Sequence, residues 1–458
     1  MIRDPTPAVR SWLARWRPVL PLMAAELILW LGFGSFLPVL PLYVTARGVD
    51  VPMLGVVIAA WPAARLLAEP IFGWLADRTR RVPLMVIGLM ASAVFAAAPL
   101  AVSGLAAFVA LRALAGLAAA VYDPAARGYI MDATPSDRRG EAFGLYGAAQ
   151  MAGFLLGPAL GALAAAATGR TESVFVLGGI SVGIAGLVVA FGVREQPRRG
   201  LHREVPSESI TELQREAPIA VGRAATAALR DAARDGRDAV ASPGSGPAVV
   251  SSLLNRTLIA AIVLNFGAFF AGGTWEVIWS LYMQERGASI EFIGFTFALF
   301  SLPVLVFSPL VGRLVDRRGP LAFIVAGSLI TVVTGLAYTV AFDLLVIAGI
   351  VVIEALGWAL VSPAVYAVVG AGSPPGRTST AQGVFGSSGT LAYILSAVLA
   401  GTLFATDIRY PFYLLSIVVF VTLVLALLIA GRTRLRGSVG APARPEPATS
   451  AASAEGPA

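Results

Sequence analysis

The chain has no cysteine, and although 34 basic residues give it a net charge of +7, none of them is lysine; all are arginine. Without cysteine there is no disulfide framework, thiol catalysis, iron–sulfur cluster or thiolate zinc site. Without lysine there is no Gly-x-x-x-x-Gly-Lys loop to cradle the phosphates of ATP. The single histidine, His202, cannot build a metal site alone, so no metal or other cofactor is expected. Charge is also scarce, at 13% of 458 residues, where soluble domains carry roughly 25%. With 57% of residues hydrophobic, a soluble globular fold is excluded. The basic excess in so apolar a chain is read as a response to a membrane surface rather than to nucleic acid.

What is present in quantity is long apolar runs. A hydrocarbon core of roughly 30 Å needs about 20 helical residues to cross it, and twelve runs reach that length: 20–43, 53–75, 82–103, 105–130, 141–167, 173–193, 257–282, 291–313, 321–341, 344–369, 380–405 and 411–431. They are continuous and lack the alternation of a barrel strand, so they predict an all-α membrane protein with twelve transmembrane helices, numbered here as spans 1 to 12. Six precede and six follow a polar stretch. The predicted organisation is a tail over 1–19, a six-helix half over 20–194, a linker over 195–254 rich in Pro, Ser, Glu and Arg, a second half over 255–432, and a disordered tail over 433–458.

The arginines sort by side. Twenty-seven fall in the two tails, the central linker and the loops after spans 2, 4, 8 and 10, against four (Arg47, Arg170, Arg286 and Arg409) in the opposite loops. The positive-inside rule then places both termini in the cytoplasm of a cell carrying the protein in its inner or plasma membrane.

The two halves repeat. Leu42, Tyr43, Arg47 and Gly48 match Leu281, Tyr282, Arg286 and Gly287 at a constant separation of 239, which also relates Gly55 to Gly294, Pro70 to Pro309, Gly73 to Gly312, Asp77 to Asp316, Pro124 to Pro363 and Gly147 to Gly386. With six helices per half, the copies share one orientation and are related by an axis along the membrane normal. Such repeats enclose a site near the midplane and expose it alternately to the two sides.

Particular motifs carry a family resemblance. The loop after span 2 reads GWLADRTRR (Gly73 to Arg81, with Asp77 and Arg78), and the loop after span 8 reads GRLVDRRGP (Gly312, Asp316 and Arg317). Both resemble the signature loop of the major facilitator superfamily, Gly-x-Leu-x-Asp-Arg-x-Gly-Arg, although Thr79 and Arg80 depart from it. Arg112, four residues before Gly116, is similar to that family's arginine motif in helix 4. Gly153, Gly157, Pro158 and Gly161, in GFLLGPALG, resemble the helix 5 motif of its drug:proton antiporters. The resemblance implies twelve helices, no enzymatic activity, and a gating role for the loop cluster, with Arg78 and Arg81 within reach of Asp132. In helix 5 it implies an exporter-specific role, for which plain helix packing is the alternative.

Ionisable residues inside spans are costly, about 2.5–3.5 kcal/mol each on insertion scales, and they mark cavities or partners. Spans 3, 6, 9 and 12 contain none and are expected to face lipid. Glu26, Arg65, Glu69, Arg112, Asp123, Arg127, Glu276 and Glu354 lie in spans 1, 2, 4, 7 and 10. Glu26, Asp123, Glu276 and Glu354 are candidates for proton coupling or substrate binding, and Arg112 is the candidate counter-ion; Arg65 and Glu69, one turn apart, read as a fixed pair. Phe33, Tyr122, Gln150, Asn265, Trp275 and Trp279 are candidate cavity lining. Desolvation favours a neutral carboxyl and a neighbouring guanidinium favours a charged one, a combination suited to exchanging protons.

The expected function is a proton-coupled exporter of lipophilic or cationic small molecules, acting as a monomer with protons and membrane lipids as its other partners. Import of sugars or organic solutes is the alternative, and it would call for more polar cavity helices than these. A membrane enzyme or receptor is the remote third, without a nucleophile–base constellation in support.

Overall fold

The computed structural model describes residues 15–135, 138–196, 255–373 and 378–431. Most of the expected linker and both tails lie outside the described residues. Within them the regular structure is helical, because a helix closes its backbone hydrogen bonds inside one segment, and lipid supplies no substitute partner.

The first span is bent. α1 runs over Leu20–Phe36 and continues after a 44° turn as the short helix Leu40–Ala46. Pro38 and Pro41 at the turn have no N–H to give to the helical ladder. The remaining helices are α2 (Val51–Arg78), α3 (Arg81–Ala97), α4 (Leu105–Ala133), α5 (Arg139–Thr168), α6 (Ser173–Gly192), α7 (Arg256–Glu285), α8 (Ile290–Arg318), α9 (Leu321–Tyr338), α10 (Leu344–Gly372), α11 (Thr378–Thr406) and α12 (Tyr410–Ala430). These eleven are long and apolar enough to cross a membrane, and the bent α1 makes a twelfth span.

Helix starts and turns follow local chemistry. The side chains of Asn255, Ser289 and Asp343 accept hydrogen bonds from the first free N–H groups of α7, α8 and α10, as N-caps do. Glu195, composed like the linker, instead reaches back to accept from the N–H groups of Arg81 (2.9 Å) and Val82 (3.1 Å), capping α3. Gly48 and Gly287, one repeat apart, have φ of +86° and +78°, where a side chain would be strained. The turn after the first helix of each half is therefore conserved between the copies in backbone conformation as well as in sequence.

Within the N-terminal half α1 packs on α5 and α6, α2 on α4, and α3 on α4 and α6; within the other, α7 packs on α11 and α12, α8 on α10, and α9 on α10 and α12. The halves meet along α2–α11 and α5–α8. α6 exposes Val176, Ile180, Ile184, Leu187 and Phe191, and α12 exposes Ile417, Phe420, Val424 and Leu428, at helical spacing. α3 and α9 expose Ile87, Val94, Leu329, Val333 and Leu336. These charge-free stripes are the surfaces that lipid would cover.

The contact between halves is uneven along the membrane normal. On the face opposite the one where α1 begins and α12 ends, a single apolar cluster draws on both halves, with Phe36, Tyr43 and Phe108 packed together with Trp279, Tyr282 and Phe412. At the terminal face the two buried clusters are separate, one built around Trp16, Met85 and Tyr129 and the other around Leu258, Ile324 and Phe385. Glycines report the same asymmetry. A Cβ on Gly55 of α2 would stand 2.0 Å from the Ala397 carbonyl of α11, and one on Gly294 of α8 would stand 2.7 Å from Ala162 of α5. At the terminal face Gly147 and Gly386 have nothing within 4 Å. The cleft is closed at the far face and open at the terminal face.

Candidate functional site

One ion pair among the described residues joins the two halves. Arg112 of α4 approaches Glu276 of α7, with Nη2 3.4 Å from Oε1. The hydroxyl of Tyr393, on α11, donates to the other carboxylate oxygen of Glu276. Arg112 is buried and lies 6.0 Å from the centre of the Trp61 ring. Glu276 is thus held by one charge from the opposite half and one hydroxyl from its own. Removing one partner of a fully buried pair costs about 3–5 kcal/mol, because the other charge is left uncompensated; here Arg112 is buried and Glu276 is partly exposed, which puts the cost below that range. Adding a proton to the carboxylate removes its charge without removing the group.

A second ionic cluster lies within the N-terminal half. Arg65 Nε is 2.5 Å from Glu69, and the same guanidinium contacts Asp123 of α4. Arg127 stands 4.0 Å from Asp123, and Arg65 lies over the Trp61 ring at 5.1 Å. The helical-turn pair expected from sequence is therefore part of a larger α2–α4 bridge, which leaves Asp123 already engaged.

The other two candidate carboxylates have no arginine beside them among the described residues. Glu26 is fully buried and accepts from the Tyr122 hydroxyl (2.5 Å), Gln150 Nε2 (2.6 Å) and Trp30 Nε1 (2.9 Å), drawing α1, α4 and α5 onto one carboxyl. Glu354 accepts from the Tyr338 hydroxyl at 2.9 Å, and the Trp275 ring packs edge-on against Tyr338. Among the described residues, no three His, Cys, Asp or Glu side chains converge as a metal ion would require.

The remaining lining candidates divide. Phe33 and Tyr122 border a cavity of about 100 Å³ inside the N-terminal half, together with Trp61, Arg65, Arg112 and Asp123. Asn265 does not border it. Its Nδ2 donates to the Phe385 carbonyl (2.7 Å) and to Ser388 (3.3 Å), tying α7 to α11. Trp279 donates to Thr296 at 2.9 Å within the far-face cluster. Both polar groups are committed to helix packing.

Among the described residues the loop cluster is formed in the N-terminal half. Arg81 Nε lies 3.0 Å from Asp132 and its Nη2 3.7 Å from Asp77. Arg78 does not join them; its guanidinium stacks 3.9 Å over the Trp74 ring, because that aromatic surface lies one turn back on the same helix. Asp316 and Arg317 are exposed, and no ion pair to either is formed among the described residues. Gly73 and Gly312 do not allow a close approach in this state. Added Cβ atoms would meet Pro124 and Pro363 at 3.8 and 3.9 Å, which is ordinary contact.

The helix 5 glycines make a tight seam against α1. A Cβ at Gly153, Gly157 or Gly161 would fall 2.3, 2.6 or 2.0 Å from the carbonyls of Leu27, Leu31 or Ser35. Pro158 abuts Gly34 on one side, and its carbonyl meets the Gly294 position of α8 on the other. The motif therefore serves close backbone packing.

Sequence reasoning missed Tyr393, which no spacing linked to Glu276, and it singled out Arg112 and Glu276 without pairing them. The repeat gave no help, since the positions 239 away are Val351 and Leu37.

Comparison with known proteins places this geometry in context. A family model described as Major Facilitator Superfamily matches residues 22–276 and 264–455. The chain is 24% identical over 414 residues to "Multidrug resistance protein 2" of Bacillus subtilis (strain 168), covering 88% of this chain and 92% of that one. It is 27% identical over 172 residues to "Quinolone resistance protein NorA" of Staphylococcus aureus, covering 38% of this chain and 44% of that one. Among solved structures, a bacterial homologue of the human lysosomal transporter Spinster, inward-facing and occupied, superimposes with a TM-score of 0.70 at 14% identity, covering 96% of this chain and 100% of that one.

Proposed function

The chain belongs to the Major Facilitator Superfamily and is a multi-pass membrane transporter, and on that premise we propose that it exports lipophilic small molecules, cationic ones included, in exchange for protons. The observation that carries the proposal is the Arg112–Glu276 pair, which among the described residues is the ion pair that joins the two halves. With both termini in the cytoplasm, as the arginine distribution favours, the described state is open to the cytoplasm with Glu276 paired to Arg112.

A proton reaching Glu276 from outside, once the far face opens, abolishes its attraction for Arg112. The carboxyl then gives up that proton to the cytoplasm when the cleft opens on the terminal face, and the pair re-forms. Substrate and proton use the same junction at different stages of the cycle, which is what exchange requires. The names of the relatives, multidrug resistance and quinolone resistance, support export as the direction. Glu26 and Glu354, held by hydroxyl and N–H donors, are assigned as secondary proton or substrate groups.

Purified protein reconstituted in liposomes with an imposed pH gradient tests the proposal. Dye accumulation against its own gradient should follow the pH gradient and collapse with an ionophore. Accumulation unchanged after collapse would sink proton coupling.

A further inference from the structure

At the terminal face of the N-terminal half, away from the cleft, the segment leading into α1 and the turn from α4 to α5 enclose a recess of about 70 Å³. That is several times the roughly 10–15 Å³ that one water needs. Two of the side chains lining it, Trp16 and Thr134, are each only 2% exposed. Neither Trp16 Nε1 nor Thr134 Oγ1 has a hydrogen-bond partner among the described residues. Arg15 and Arg138, both exposed, complete the wall, and no acidic residue lines it. The neighbouring Asp132 is engaged by Arg81.

Polar groups withdrawn from water without a partner carry an uncompensated desolvation cost. The other half shows how the same junction closes without a ligand. The offset of 239 places Asn255 and Ser373 where Trp16 and Thr134 stand. There Asn255 Nδ2 donates to the Gly372 carbonyl (2.6 Å) and the Ser373 hydroxyl to the Val369 carbonyl (2.7 Å). An indole N–H only donates, so whatever relieves Trp16 must present an acceptor. The end of α4 and the start of α5 meet beside the recess, and their opposed dipoles largely offset each other. The preference for negative charge therefore comes from the two guanidinium groups, whose charge-assisted hydrogen bonds to anionic oxygens are strong. Donors on four side chains suit an oxyanion with several acceptor oxygens.

We propose that this recess binds a phosphate group, held by Trp16, Thr134 and the guanidinium groups of Arg15 and Arg138. Because α1 begins and α4 ends here, the recess lies at the level of the lipid headgroups, and its exposed rim is open to soluble phosphate as well. The bound group fastens the segment before α1 to the α4–α5 turn. Thr134 follows Asp132, the partner of Arg81, by two residues, so the phosphate braces the end of α4 that holds the loop cluster. None of this depends on the proposed exchange of substrate for protons.

The test titrates the full-length protein, stripped of lipid in a phosphate-free detergent, with inorganic phosphate and with chloride at matched ionic strength. The readout is the indole N–H resonance of Trp16, identified by its loss in Trp16→Phe. Phosphate should shift it saturably and chloride should not. Thr134→Val and Arg15→Gln should each weaken the phosphate affinity about tenfold or more, the loss expected of one hydrogen bond to a charged group. Arg17→Gln, an exposed neighbour outside the recess, should leave it unchanged. Phosphate affinity unchanged in folded Thr134→Val and Arg15→Gln overturns the site.

A second arm separates the sources. Native mass spectrometry compares retention of phosphatidylglycerol with that of an uncharged galactosyl diacylglycerol of the same acyl chains, in the wild type and in Thr134→Val. Selective retention of phosphatidylglycerol that Thr134→Val loses assigns the phosphate to a lipid. A saturable shift of Trp16 by inorganic phosphate without selective lipid retention assigns it to a soluble phosphate. Absence of both in the wild type refutes the proposal without reference to any variant's folding. Loss of gradient dependence in the transport assay would remove proton coupling and leave this site standing.

Discussion

Replacing Gly55 by alanine should shift the conformational balance of the whole molecule. In the described state the added Cβ would lie 2.0 Å from the carbonyl oxygen of Ala397 and 2.9 Å from the Val398 Cα. The α2–α11 contact would have to open by more than an ångström to admit it, since real Cβ atoms essentially never come within 3.0 Å of another heavy atom. Overpacking of this kind costs about 1–3 kcal/mol, and about 1.4 kcal/mol is a tenfold change in an equilibrium. The far-face-closed state should lose roughly five- to 150-fold in population relative to its alternative. Gly73→Ala is the control, because its Cβ would meet Pro124 at an unstrained 3.8 Å in this state. The absence of native cysteine permits clean spin labelling at Ala46→Cys and Gln284→Cys, exposed positions near the far face in opposite halves. Electron–electron distance distributions should move to longer separations in Gly55→Ala and not in Gly73→Ala. Unchanged distributions in Gly55→Ala, or the same lengthening in both variants, would refute the steric argument.

Three further outcomes follow from individual contacts. Arg112→Ala should destabilise the protein by no more than about 3 kcal/mol by leaving the partly exposed Glu276 without its charge partner, and adding Glu276→Gln should restore part of that loss in a double-mutant thermal-unfolding cycle. Gly161→Ala, with a Cβ 2.0 Å from the Ser35 carbonyl, should lower Tm by several degrees, whereas Gly147→Ala, with open space around it, should leave Tm unchanged or slightly raised. In the loop after α11, hydrogen bonds from Arg409 hold the Asp407 carboxyl down at about 2. Its stabilising contribution is therefore complete above the ordinary carboxylate range and fades only as pH falls toward 2. Carboxyl carbon shifts should titrate there in the wild type and near the ordinary range in Arg409→Ala.

Much of the fold was legible because lipid imposes simple rules on length and polarity. Twelve runs became twelve spans, and the repeat at 239 recurs in the positive φ of Gly48 and Gly287 and in the matched Gly73–Pro124 and Gly312–Pro363 contacts. What escaped was what depends on side chains meeting across long stretches of sequence. Span 1 read as one helix because hydropathy is blind to the bend at Pro38. Glu195 read as linker because its composition is polar, yet it caps α3 from 114 residues away. Asn265, one repeat from Glu26, read as cavity polarity, whereas its amide ties α7 to α11. Arg112 and Glu276 were both marked by the cost of charge in lipid, but their pairing across 164 residues has no counterpart in the repeat from which it could be read.

The most direct measurement compares two modes of transport by Glu276→Gln in liposomes. If Glu276 couples substrate to protons, this variant should still exchange labelled for unlabelled substrate in counterflow and should fail to accumulate substrate when a pH gradient is imposed. Gradient-driven accumulation by Glu276→Gln at the wild-type level would contradict the assignment of the Arg112–Glu276 junction as the coupling site.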